Sequence, residues 1–191
     1  MSNLFFTSDC HWGHQNIIKF CNRPFSSVEE MNEELIQRWN AVVKKNDTVW
    51  SLGDFSFMSF EKTKQVIARL NGDLHMVLGN HDQKIIQNRK ELLDSGLVKD
   101  IRDYKELSVQ LGGSKQHICL FHYAQRAWNR SHHGSWQLFG HTHGDMEPYA
   151  KSVDVGIDSP WVTGKPEYRP FTLDEVAAFM HGREIIKHHA D

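Results

Sequence analysis

Short apolar runs alternate along the chain with amphipathic stretches of helical period, and that pattern marks out the elements. Asn3–Ser8 is a short apolar run of the kind that makes a buried strand, and Gln15–Phe20 follows as a short helix. Val28, Met31, Leu35, Trp39, Val42 and Val43 recur close to a 3.6-residue period and predict an amphipathic helix. Ser26 is its expected N-cap, with Glu29 as the capping-box partner. A strand is expected over Thr48–Gly53, and a helix from Ser59 to Leu70 ended by Gly72. Leu74–Gly79 reads as a third strand and Asp82 to Asp94 as another helix. Strand–helix–strand order of this kind implies a parallel sheet with helices on its outer face.

The second half is richer in strands. Glu106–Leu111 and Gln116–Phe121 flank Gly112-Gly113 as a hairpin, and Ser135–Gly140 and Ser152–Ile157 have the same apolar character. Thr172 and Glu175 form a capping-box pair at the start of a last helix, Thr172–His181. The pattern predicts an α/β protein with a second, mixed sheet packed on the first, all within one domain over residues 1–191.

Composition narrows the classes. Of 191 residues, 39% are hydrophobic and 24% charged, a globular balance, and the net charge of -2 offers no footprint for duplex nucleic acid. No apolar run approaches the roughly 18–20 residues that span a bilayer. The opening stretch Leu4-Phe5-Phe6 is too short for a signal peptide, and the three cysteines lack metal-site spacing. Reduced thiols in a cytoplasmic protein are therefore expected. Thirteen histidines stand out, because histidine is the commonest metal ligand.

Five apolar runs each end in metal-capable side chains. Phe5–Ser8 leads into Asp9-Cys10-His11 and Val49–Gly53 into Asp54. Met76–Gly79 leads into Asn80-His81-Asp82, Ile118–Phe121 into His122, and Leu138–Gly140 into His141-Thr142-His143. Ligands in open α/β sheets gather beyond the carboxyl ends of the strands, so these donors are expected in one crevice. Asp9, His11, Asp54, Asn80, His122, His141 and His143 exceed the needs of one tetrahedral ion. They suit two ions about 3.5–4 Å apart sharing a carboxylate, and donors of this type take Mn²⁺, Fe²⁺, Zn²⁺ or Ni²⁺.

Asp9-x-His11, Gly53-Asp54, Gly79-Asn80-His81-Asp82, His122 and Gly140-His141-x-His143 together resemble the signature of the calcineurin-like metallophosphoesterases, complete and in order. The run Ser8-Asp9-Cys10-His11-Trp12-Gly13-His14 is also similar to a small capless subgroup from bacteria and phages. The resemblance implies two mixed β-sheets packed as a sandwich flanked by helices. It implies two divalent metal ions, manganese first among the choices above. Asp9, His11 and His143 would hold one, Asn80, His122 and His141 the other, and Asp54 would bridge them. It implies hydrolysis of a phosphate ester by water activated between the metals, with His81 as general acid and Asp82 orienting it.

Plainer readings stand beside several of these. Asp54 and Asn80 follow glycines and could simply mark turns, and a histidine such as His122 at a strand end is often a core residue. Only the order of the set lifts them. His14 could touch the substrate phosphate or cap the helix near Gln15. Arg23, Arg126 and Lys165 are candidate phosphate contacts or ordinary surface charges. Trp12, Trp128 and Trp161 could stack on a base or belong to the core, while His188 and His189 have no assigned role. The segment Gly53-Asp54-Phe55-Ser56 lacks the arginine that phosphoprotein phosphatases of this resemblance carry after the second motif. A small phosphodiester such as a nucleotide or cyclic nucleotide is the expected substrate. The alternatives are a nuclease on ends or single strands, a phosphomonoesterase and a non-catalytic scaffold. Duplex nucleic acid and membranes are not expected partners.

Overall fold

The computed structural model describes residues 2–187, so His188 and His189 lie outside it. β1 (Leu4–Thr7), β2 (Thr48–Ser51), β3 (Asp73–Val77) and β4 (Asp100–Arg102) run parallel in the order β4-β3-β2-β1. The second sheet has the order β5-β6-β7-β8. It starts with the antiparallel hairpin β5 (Lys105–Leu111) and β6 (Ser114–Leu120), and β7 (Trp136–Phe139) and β8 (Ser152–Asp154) then add in parallel. A last strand, β9 (Phe171–Thr172), returns to the first sheet and pairs antiparallel with β1. Both sheets are thus mixed, as expected.

The two-residue period of β1 builds two cores. Phe5 and its partner Val49 face the helical layer, where Met31, Leu35 and Trp39 of α2 (Val28–Val42) cover them. Phe6 and its partner Trp50 face the second sheet and pack with Ile118, Leu138 and Val153. The helical layer is completed by α1 (Ile17–Phe20), α3 (Phe60–Arg69), α4 (Gln83–Gln87) and α5 (Arg89–Asp94). Helix α6 (Leu173–Met180) sends Val176 and Met180 into the core between the sheets.

Some boundaries differ from expectation. The N-cap of α2 is Ser27, which accepts from the Glu30 N–H at 3.1 Å, whereas Ser26 N–H donates to the Glu30 carboxylate at 2.7 Å. Capping therefore runs one residue later than the Ser26/Glu29 pair. The helix expected over Asp82 to Asp94 breaks at Asn88 (ψ 19), leaving α4 and α5. β4 and β9, of three and two residues, are too short to show a period. The expected box on α6 is present, with Thr172 and Glu175 each accepting from the other's N–H.

The sheets also meet through backbone. Ser8, just past β1, bridges to Gly156, just past β8, and Ile157 N–H donates to Ser8 carbonyl at 3.1 Å. This contact stitches the two sheets together at the end where the motif segments leave the strands.

Candidate metal centre

Three of the five motif segments, those of Asp9, Asp54 and His141, leave their strands through a backbone conformation that ordinary side chains avoid. Asp9 (φ 56), His11 (φ 51), Asp54 (φ 51), His141 (φ 68) and His143 (φ 50) all lie in the left-handed region. Asp and His tolerate it better than most residues, yet each still stores strain that the surrounding fold must offset. Glycine precedes three of the segments because nothing larger fits. A Cβ on Gly79 would overlap the Asp54 carboxylate, and one on Gly140 would overlap Ser8 and Asp9.

The donors fall into two groups. Asp9 Oδ1 stands 3.7 Å from His11 Nε2 and 4.0 Å from His143 Nε2. Asp54 Oδ1 stands 3.6 Å from His122 Nε2, with the His141 ring beside them and Asn80 Oδ1 3.0 Å from His122 Nε2. Asp54 joins the two, because its other oxygen, Oδ2, lies 3.7 Å from His11 Nε2. These separations suit donors that each reach about 2.0–2.2 Å to a shared cation. Asp9 Oδ1 and both ring nitrogens of His11 are buried without a hydrogen-bond partner. A buried polar atom left unpaired is costly, and a cation beside Asp9 Oδ1 and His11 Nε2 would satisfy both, so the residues fit a metal.

Charge and tautomer are arranged for the same purpose. Burial pushes the Asp9 carboxyl up, but His11 and the other imidazoles outweigh that and hold it below the usual carboxylate range. His122 Nδ1 meets the Leu52 carbonyl at 2.8 Å, which leaves Nε2 free to ligate. His143 Nδ1 meets Asp158 Oδ2 at 2.8 Å. Burial would lower the His143 pKa, but Asp158 outweighs it and pushes it up to about 11.

Two predicted roles are corrected by their surroundings. Asp82 is buried and does not orient His81. Its Oδ2 accepts from Gly79 N–H at 2.8 Å and Asp54 N–H at 2.9 Å, and its Oδ1 accepts from Phe55 N–H at 2.9 Å. It braces the loop that carries Asp54. Arg23 is also buried and turned away from the cleft. Its Nε and Nη2 both donate to Asp158 at 2.8 Å, and it also donates to the carbonyls of Asp9 and Cys10. Fully engaged in this way, it has no donor to offer a phosphate.

The cleft holds about 510 Å³ and is lined by residues that include His11, His14, Asp54, His81, His141 and His143. His81 is exposed there, and its N–H donates to Asp54 Oδ1 at 2.8 Å. His14 lines the wall, stacked on Phe57 at 4.1 Å, and its N–H donates to the His11 carbonyl. Arg126 does not reach this cleft. Its guanidinium sits 4.2 Å over the Tyr149 ring beside a separate hollow. Trp12 is core, and Trp161 donates to the Gly144 carbonyl at 2.9 Å.

Two residues that sequence reasoning missed complete the site. Asp158 orients His143, and Asp154 accepts from Thr142 Oγ1 at 2.6 Å and Gly144 N–H at 2.9 Å, holding the His141–Gly144 turn. The signal for them is Val153-Asp154-Val155-Gly156-Ile157-Asp158, another apolar run punctuated by glycine and aspartate.

Residues 3–155 match the calcineurin-like phosphoesterase superfamily domain. The uncharacterized protein MJ1445 of Methanocaldococcus jannaschii is 30% identical over 98% of this chain and 96% of its own length. The gene 66 protein of Mycobacterium phage L5 is 29% identical over 83% and 88%. Among solved structures, AQ665 of Aquifex aeolicus, a protein of unknown function, has a TM-score of 0.66 at 20% identity, covering 93% of this chain and 99% of its own. That last likeness bears on the fold alone.

Proposed function

The chain belongs to the calcineurin-like phosphoesterase superfamily, whose members are metal-dependent phosphoesterases, and from that premise we propose a two-metal phosphodiesterase acting on a small phosphodiester such as a nucleotide or cyclic nucleotide. The observation that carries the two-metal reading is Asp54, with one carboxylate oxygen facing His122 and the other facing His11. Asp9, His11 and His143 would hold one divalent cation, Asn80, His122 and His141 the other, with Asp54 shared. Manganese suits these oxygen and imidazole donors, as do iron, zinc and nickel. Bound there, the cations would bring the pKa of a water near neutrality and draw charge from the phosphoryl oxygens.

The chain's own residues supply the rest. Asp82 holds the Asp54 loop through three N–H groups, so the shared carboxylate is aimed before substrate arrives. Asp158 fixes the His143 ring through Nδ1 and leaves Nε2 toward the cleft. His81, exposed in the cleft, is positioned to give a proton to the leaving oxygen. The diester preference is supported by the lining. Among the described residues, no lysine or arginine lines the cleft, and the Asp145 carboxylate sits on its rim. A monoanionic diester tolerates such a wall better than a dianionic monoester or a long polyanion.

The test is Mn²⁺-dependent hydrolysis of bis(p-nitrophenyl) phosphate against p-nitrophenyl phosphate, with bound metal counted in the same samples. The expected result is a preference for the diester. In Asp54→Asn, both turnover and two-metal occupancy should be lost together. Preference for the monoester would overturn the diester reading, and full turnover in Asp54→Asn would remove the shared carboxylate. Absence of both turnover and metal would return the chain to a binding role.

A further inference from the structure

One flank of the cleft carries side chains that phosphoryl chemistry does not use. Ile17 and Phe20 reach it from α1, Phe57 from the loop after β2, and His14 from the turn before α1. The aromatic rings form a continuous row. Phe57 lies 4.8 Å from His81 and 5.1 Å from His11, His14 stacks on Phe57 at 4.1 Å and 11°, and Phe20 meets His14 edge-on at 6.3 Å. The row runs from the proposed acid to open water.

Phe20 has no packing reason to be there. Ile17, at 4% exposed, anchors α1 in the core, whereas Phe20 is 71% exposed, the most exposed of the large apolar side chains among the described residues. A single exposed phenylalanine is ordinary on a surface. This one lines the cavity that holds the metal-facing donors. Asp145 belongs to the same cavity. A carboxylate there repels a phosphate but accepts hydrogen bonds from ring N–H, amino or hydroxyl groups.

We propose that this flank is a stacking subsite for the base of a nucleoside phosphodiester. Phe20 provides the outer stacking face, the His14–Phe57 stack meets it edge-on and lines the cleft inward, and Asp145 accepts from the nucleoside's donors. The subsite rests on the phosphodiesterase reading above and extends it to the organic half of the substrate. Stacking of a base on an aromatic side chain is sequence-tolerant, so the subsite selects for a planar ring rather than for one base.

Two esters with the same leaving group test it on the metal-loaded full chain: thymidine 5′-(p-nitrophenyl) phosphate and ethyl p-nitrophenyl phosphate. The thymidine ester should be preferred in kcat/KM by about tenfold or more, the scale of one base stack. Phe20→Ala should cut that ratio by about tenfold, mainly through the KM of the thymidine ester, and Phe20→Trp should restore it. No preference in the unaltered chain, or an equal loss on both esters in Phe20→Ala, would overturn the subsite. If neither ester is turned over, the phosphodiesterase reading fails. Calorimetric binding of thymidine 5′-monophosphate then decides the subsite by itself: about tenfold weaker binding in Phe20→Ala supports it, and equal binding removes it.

Discussion

The two sheets bring their donors to the cleft in different ways. On the first-sheet side, Asp54 is held through backbone, since Asp82 gathers the N–H groups of Gly79, Asp54 and Phe55. On the second-sheet side, His143 is held through side-chain charge, as Arg23 grips Asp158 and Asp158 grips His143. The first brace joins two neighbouring motifs of one sheet. The second joins residues 135 positions apart. A backbone brace holds a loop without needing a second charged side chain, whereas a buried ionic relay works only while every partner is present. The difference predicts where each half should be fragile.

After the loss of turnover expected of Asp54→Asn, the largest effect expected is on rate, from His81. His81→Ala should lower turnover about 10²–10⁴-fold with poor leaving groups and less with p-nitrophenolate, while both metals stay bound. Equal losses across leaving groups would remove its role as acid. Stability should respond most to the ionic relay. Asp158→Ala leaves Arg23 buried and unpaired, and chemical denaturation should show a loss of about 3–5 kcal/mol. The double variant Arg23→Met with Asp158→Leu should recover much of that stability but not metal affinity, which should stay about 10–100-fold weaker. Recovery of both would mean that Asp158 serves the fold and not His143.

Asp82→Asn tests the backbone brace. An amide NH₂ in place of one oxygen must face at least one of the three N–H groups, at a cost of about 1–3 kcal/mol. Metal affinity should fall with it because the Asp54 loop is loosened. Unchanged affinity would separate the two. The smallest effect is expected far from both braces. Burial works to raise the Glu175 pKa, but Arg169 and the Thr172 N–H outweigh it and hold the carboxyl below its ordinary value. Its contribution is therefore present above the unfolded value of 4.5 and lost as pH falls through the lower folded one. Gln keeps the capping contact but loses the partly exposed ion pair with Arg169, so Glu175→Gln should cost under about 1 kcal/mol at neutral pH, and the gap to the unaltered chain should close in acid.

Much of the architecture is legible in the chain because it rests on local rules. The apolar run at Leu4–Thr7 and the 3.6-residue stripe of α2 exist before any long-range contact forms. The capping box on α6 involves residues three apart, so its pattern is complete within the sequence. The break at Asn88 is hidden, because the apolar positions on either side keep one helical phase across it. Ser26 and Ser27 are equally good caps by composition, and only backbone conformation chooses between them.

The same division runs through the site. The residues from Asp9 to His143 are conspicuous in sequence, because strand ends carrying Asp, Asn and His are chemically distinctive and five in series are hard to explain as turns. Roles that depend on direction are not. Arg23 looks like a phosphate clamp by residue type, yet in the fold its guanidinium points inward to Asp158. Asp82 sits beside His81 in sequence, but its side chain reaches back to the Asp54 loop. The chain by itself thus determined which donor types end its strands and where the apolar strands and amphipathic helices lie, since covalent order and local pattern set both. Only the tertiary structure decided which groups face the cleft and which stand behind it. That choice depends on the stitch between Ser8 and Gly156 and on burial that leaves each charge no partner but the one the fold supplies.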